Sequence, residues 1–233
     1  MNKKKYLFGI IGFALGFLAM FYVTKRINES NAATSPAPTT AAAPGAPNSQ
    51  SQQGMMTNVR DALEKAKNNP NDFQAQVEAA RMYYQVNQLD EAIEYLKKAQ
   101  QIDPKNLGVT ATIGNLYFDQ KKYDEAEKWF SEALKIKDDP ELRVELASTY
   151  LQREPPNAER AIQELQLAVK ADAKNPHAVA HLIEACLLKK DISAAEQNLN
   201  KLKELDASSQ RIPIYTNLIA DAKAGKAITI PKE

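Results

Sequence analysis

AARMYYQVNQLDEAIEYLKKAQQIDP, residues 79–104, and TIGNLYFDQKKYDEAEKWFSEALKI, residues 112–136, are one pattern written twice. Ala80, Tyr83, Ala92, Leu96 and Ala99 recur thirty-four residues later as Gly114, Tyr117, Ala126, Phe130 and Ala133. A fixed period of this length marks a stacked array of helical hairpins, in which each unit buries its apolar face only against its neighbours. The small residues have a physical reason. Two helices about 8–10 Å apart need Gly or Ala where they cross, and large apolar side chains one turn away fill the remaining gap. The reading is an all-α fold, an antiparallel helix-hairpin solenoid.

The two copies resemble the tetratricopeptide repeat family. There a small residue of the first helix faces a small residue of the second, an aromatic follows the first by three residues, and Pro often closes the unit. Two weaker copies follow. In the third, Ala147, Tyr150, Ala161, Leu165 and Ala168 hold the pattern, but Ala147 to Ala161 is two residues longer than its counterparts. The surplus falls at REPPN, residues 153–157, which predicts a lengthened turn inside that hairpin. In the fourth, Ala195 and Leu199 match, while Ile183 stands for the small residue and Cys186 for the aromatic. The four repeats span about 73–106, 107–139, 140–175 and 176–208 within a repeat domain of 70–225.

Capping signals agree with this register. Asp139-Pro140 and Asn175-Pro176 each offer a capping side chain followed by Pro in the first turn, and Asp72 and Asn106 can cap the first helices of the first two copies. Asp90, Glu91, Asp124, Glu125 and Glu159 place negative charge at the starts of second helices, where the dipole favours it. A cap helix is predicted within 55–69, amphipathic over Val59 to Lys67 and ended by NNPND. A terminal helix is predicted over 213–224, with Ile214, Leu218 and Ile219 as its apolar stripe, Gly225 as its stop and 226–233 as a tail.

Ahead of the array, residues 6–23 (Tyr6 to Val23) carry no charge and are flanked by Lys3, Lys4, Lys5 and by Lys25, Arg26. At 1.5 Å per residue they make about 27 Å of helix, near the hydrocarbon thickness of a bilayer. We read a single transmembrane helix. A cleaved signal peptide, with Ser30 to Ala32 as its site, and a buried soluble helix are the alternatives. The positive-inside bias puts residues 1–5 in the cytoplasm and exports the repeat domain, as in a bacterial inner-membrane protein facing the periplasm. Residues 24–54 are predicted to be a disordered linker, since Ser30 to Gly54 is rich in Ala, Pro, Ser and Thr and has no charge. Gly12 and Gly16 form a G-x-x-x-G pattern that offers homodimerisation through the span, against a monomeric anchor.

Composition removes other functions. Residues 1–54 hold five of the 30 bases and one of the 29 acids, so residues 55–233 carry a net charge of −3 and lack the basic stripe that nucleic acid requires. Cys186 is the only cysteine, which excludes an intrachain disulfide; its place on a packed face predicts a buried, inert thiol. No Gly-rich phosphate loop, G-x-S-x-G elbow, C-x-x-C pair or H-E-x-x-H occurs, so neither an enzyme nor a cofactor is expected. His177 and His181, with Glu184 three further on, share one helical face and are a weak metal candidate; the alternative is a solvent-facing helix start with incidental histidines.

The resemblance implies that the first helices line a concave groove, through Gln74, Val77, Arg81, Tyr84, Ala111, Asn115, Phe118, Val144, Ser148, Leu151, Ala180, Glu184 and Leu187. The family's Lys and Asn clamp for a terminal carboxylate is absent in its usual form, because Val77 and Arg81 occupy the matching places of the first copy. Tyr84, Phe118, Leu151 and Leu187 instead make a ladder suited to an extended or helical apolar peptide; the alternative is that they pack against a neighbouring unit or the terminal helix. The expected function is a membrane-tethered scaffold, assembly factor or chaperone-like adaptor for protein clients. A structural subunit of an envelope or secretion complex is the second reading, and a metal-dependent activity the third.

Overall fold

The crossing residues decide the architecture seen in the computed structural model, which describes residues 49–230, with side chains from residue 59. Ten α-helices and no strands are found among these residues. They are α1 Ser49–Asn68, α2 Phe73–Gln85, α3 Leu89–Ile102, α4 Leu107–Asp119, α5 Tyr123–Ile136, α6 Pro140–Gln152, α7 Ala158–Ala171, α8 Pro176–Leu188, α9 Ile192–Leu205 and α10 Arg211–Lys223. The chain divides at Val109/Thr110 into two compact units. The span, the Gly12 and Gly16 pattern and most of the predicted linker lie outside the described residues. Among those described, no helix is long and apolar enough to cross a membrane. Helix α1 starts inside the stretch read as linker, so Ser49 to Gly54 are helical.

In the first unit α2 and α3 form a hairpin, and α1 packs on α2. Ala80, Ala92, Leu96 and Ala99 are buried between the helices, and Tyr83 stacks on Tyr95 with ring centroids 5.4 Å apart. Asp72 caps α2 by accepting from the Ala75 N–H at 3.1 Å. The carbonyls at the end of α1 are met from the next helix: the buried Gln76 amide donates to Ala66 O at 2.9 Å and Asn69 O at 3.2 Å. A helix end left without partners would carry a desolvation cost, so Gln76 fixes where α1 stops.

In the second unit the crossing is tightest at Gly114. A Cβ there would lie 2.8 Å from Phe130 Cε1, and Phe130 is fully enclosed. Ala126 and Ala133 line the same seam with no exposed surface. The hairpins α6/α7 and α8/α9 repeat it through Ala147 with Ala161 and Ala168, and through Ile183 with Ala195. Asn106, Asp139 and Asn175 accept first-turn N–H groups as their places predicted.

One backbone closure joins every pair. The N–H groups of Gln88, Lys122 and Asp191 each donate to the carbonyl five residues back, Tyr83, Tyr117 and Cys186. The residues just before them, Asn87, Lys121 and Lys190, take φ of 59°, 60° and 62°. In the third hairpin a closing bond runs from Asn157 N–H to Tyr150 O at 2.8 Å, seven residues back, so the two added residues are taken up within 153–157, where no residue takes the positive φ of the other three turns. Glu127 of α5 holds that bulge by accepting from Arg153 at 3.2 Å and Arg160 at 2.6 Å.

The terminal helix departs from its predicted start. It begins at Arg211, and Pro213 is tolerated as its third residue because first-turn N–H groups have no intrahelical partner. Its stripe is shifted too: Ile214 is 43% exposed, while Tyr215 and Ile219 are buried. Gly225 ends it with φ 71°, as predicted from its place.

Two glycine changes of opposite sign test this packing. Gly114→Ala gains about 1 kcal/mol of helix propensity but drives a methyl into an enclosed ring, and we expect a net loss of about 1–2 kcal/mol. Lys190→Gly relieves a left-handed backbone and should gain about 0.5–1 kcal/mol. Urea denaturation midpoints of both variants read the two signs.

Candidate protein-binding surface

The first helix of each hairpin gives one face to its partner, and the residues expected to meet a client lie on another. On α2, Gln74 is exposed, Arg81 and Tyr84 are half-buried and Val77 is buried. Arg81 is held on its own helix by a two-pronged pair with Glu78, with Nε to Oε2 at 2.9 Å. It is therefore a fixed cation rather than a flexible one. On α4, Ala111, Asn115 and Phe118 are half-buried, and Phe118 meets Tyr123 edge-to-face at 5.6 Å.

The third and fourth hairpins differ. Val144, Ser148 and Leu151 of α6 and Ala180, Glu184 and Leu187 of α8 are all buried. Leu187, at 1% exposure, belongs to an apolar cluster with Tyr215 and Ile219 of α10 and Leu199 and Leu202 of α9. The ladder thus keeps accessible surface at Tyr84 and Phe118 but not at Leu151 or Leu187. For Leu187, packing with the terminal helix is the arrangement found.

Beneath this face lies a polar network of which the sequence disclosed only parts. Glu184 Oε2 is 2.9 Å from His181 Nδ1, and Glu184 Oε1 accepts from the Tyr215 hydroxyl at 2.6 Å. Arg211 Nη1 stands 3.9 Å from the same oxygen. His181 Nε2 lies 3.4 Å from Ser148 Oγ. Burial alone would raise the Glu184 carboxyl, but the His181 bond and charge, the Tyr215 hydroxyl and Arg211 outweigh it and hold it below its ordinary value. Burial first, and then the Glu184 charge, push the Tyr215 phenol upward.

His181 is therefore not an incidental, solvent-facing residue. It is buried and bonded, whereas His177 is exposed. Among the described residues no three His, Cys, Asp or Glu side chains are placed to hold a metal. Cys186 is buried, and that burial pushes its thiol up to about 11, so little thiolate exists near neutral pH. Ser148, His181 and Glu184 mimic the order of a hydrolytic triad. Ser148 sits inside α6, however, where the neighbouring N–H groups are bound within the helix and cannot form an oxyanion hole. The residue that the sequence reading missed is Tyr215. The spacing Ile212, Tyr215, Ile219 was the available signal, masked by starting the helix at Pro213.

Two tetratricopeptide repeat family models match the chain, over residues 57–106 and 83–148. No curated protein matches it. Several solved structures do. YrrB, described as a tetratricopeptide repeat protein with an unusual peptide-binding site, is 17% identical, with 71% of this chain and 94% of that one covered at a TM-score of 0.54. MamA from Desulfovibrio magneticus RS-1 is 19% identical, with 69% and 90% covered and a TM-score of 0.59. PilW, described as a type IV pilus biogenesis factor, is 17% identical, with 75% and 81% covered and a TM-score of 0.59. At these identities the likeness is one of fold.

The network makes a pH prediction. A carboxyl depressed in the folded state adds stability that is full above its ordinary value of 4.5 and is lost as pH falls through the lower folded value. Glu184→Gln should therefore destabilise at pH 7, by about 1–3 kcal/mol for the charged hydrogen bonds removed. The gap to the native protein should close as pH falls below 4.5. Thermal melts of both proteins from pH 7 to pH 3 measure this convergence.

Proposed function

We propose that the chain, which two tetratricopeptide repeat models match over residues 57–148, is a membrane-tethered binding module, a scaffold, assembly factor or chaperone-like adaptor without catalysis of its own. One observation carries the binding role: the first helices α2 and α4 keep aromatic side chains, Tyr84 and Phe118, partly open on rigid hairpins. Aromatics fixed in this way bury large area at low entropic cost when a partner docks. The tether rests on the uncharged stretch Tyr6 to Val23, its flanking lysines and the Ala/Pro-rich segment behind it. These features favour a cytoplasmic amino terminus and a repeat domain on the far side of the inner membrane, and the Gly12 and Gly16 pair suits a dimer through the span.

A second reading is a fixed subunit of an envelope assembly. PilW, whose likeness to this chain is one of fold, is described as a type IV pilus biogenesis factor, which suggests it. A constant stoichiometry with partners through purification would support the subunit; variable recovery would support the adaptor.

Tyr84→Ala combined with Phe118→Ala should weaken capture of the partners retained by the tagged full-length protein, by about 2 kcal/mol or more, while the domain stays folded and still melts cooperatively. Undiminished recovery would place the interface elsewhere. In fractionated cells the full-length protein should stay with the membranes through carbonate washing. A mature form beginning after Ala32 would favour the cleaved signal instead.

A further inference from the structure

Helix α10 covers the place on α8 where a client would be expected, and it does so by meeting a buried carboxylate, Glu184, with the Tyr215 hydroxyl. Glu184 and Leu187 occupy first-helix positions that the repeat pattern assigns to ligand contact, yet both are closed over in the cluster that contains Tyr215 and Ile219. The covering is also chemically selective. One oxygen of the buried Glu184 is held by His181, and the other takes the Tyr215 hydroxyl at 2.6 Å with Arg211 at 3.9 Å. Arg211, Tyr215 and Ile219 stand four residues apart along one side of α10, and Ile212 and Leu218 pack beside them. A cap that served only to shield apolar surface would need no desolvated carboxylate, because leaving one unmet is costly.

The attachment of α10 is also light. Of its thirteen residues only Tyr215 and Ile219 are buried, against ten of thirteen on α8 and three of fourteen on each of α5, α7 and α9. Its N-cap, Gln210, makes no side-chain capping bond, a lack it shares with α5 and its N-cap Lys122, whereas Asp139, Asn157, Asn175 and Asp191 of the same unit each cap their helix.

We propose that α10 is a built-in occupant of a client site on α8: the fourth hairpin receives a helical segment of a partner protein bearing a base, a tyrosine four residues later and an aliphatic residue four beyond that, and α10 yields to it. This rests on the reading of the chain as a binding module and names the ligand of one of its faces. The mode is a helix laid against a helix-lined surface, with Glu184 reading the phenol and the base. Affinity for the client is reduced by the fraction of molecules in which α10 is docked, so loosening α10 tightens binding.

Hydrogen exchange on the unaltered full-length protein is the first test. The amides of α10 should exchange at least about ten-fold faster than those of α8 and α9, through an opening of their own; exchange in step with α8 and α9 would overturn the proposal. The second test measures fluorescence anisotropy of a labelled peptide of residues 209–226. It should bind full-length Tyr215→Ala at least about ten-fold more tightly than the native chain, and the same peptide carrying Tyr215→Phe should bind that variant about ten-fold more weakly. No binding to a folded Tyr215→Ala chain, or equal binding by both peptides, would overturn the proposal, as would loss of a cooperative melt in that variant, since α10 would then be integral to the core. None of these outcomes involves Tyr84 or Phe118, so failure here leaves the binding-module reading standing. That reading fails if the full-length protein captures no partner.

Discussion

Close approach of two helices at a residue without bulk is the constraint from which the rest of the structure follows. At Gly114 there is no room for a methyl group against Phe130. Ala92, Ala126, Ala161 and Ala195, at the facing place on the second helices, are wholly enclosed. Such seams resist sliding, because a shift of one residue would bring a larger side chain to the crossing. The fourth hairpin keeps the constraint by exchanging volume: Ile183 is large where the others are small, and Cys186, three residues on, is small where the others carry tyrosine. Both are buried in one cluster, so bulk has moved by one turn without opening the seam.

A rigid hairpin has consequences for binding. Side chains on the outer face of a first helix are presented in fixed geometry, so a partner need not order them first, which lowers the entropic cost of association. On the proposed reading the array uses this in two ways. On α2 and α4 the presented groups are partly open aromatics and the clamped Arg81. On α8 the presented group is a buried carboxylate positioned by His181 and already engaged by Tyr215. Both follow from the same crossing rule, because the small residues that close each seam leave the opposite side of the first helix for other work.

Much of this was legible in the sequence because local chemistry repeats with the period. The four hairpins, the caps at Asp72, Asn106, Asp139 and Asn175, the bulge at 153–157 and the stop at Gly225 each depend on a few neighbouring residues. The fate of the first-helix faces was not legible. Whether Leu187 or Glu184 meets solvent depends on α10, more than twenty residues away, and no periodicity within α8 records that cover. The stripe of α10 was misread for a narrower reason. Pro213 signals a helix start at the first position, but the first turn tolerates proline at several places, so the helix begins at Arg211 and its buried stripe runs through Tyr215 and Ile219 with Ile214 exposed. For His181 the Glu184 partner, three residues on along α8, was legible, but Ser148 of α6 and, by way of Glu184, Tyr215 of α10 lie on other helices that no local pattern records.

Site-specific photocrosslinking in intact cells addresses the central claim most directly. A photoreactive residue placed in the full-length protein at Tyr84 or Phe118 should yield adducts with a shared set of proteins, and the same residue at Lys98 or Glu132, exposed on the second helices, should not. Adducts arising mainly from Lys98 and Glu132, with none from Tyr84 or Phe118, would contradict an account in which the first helices carry the binding surface.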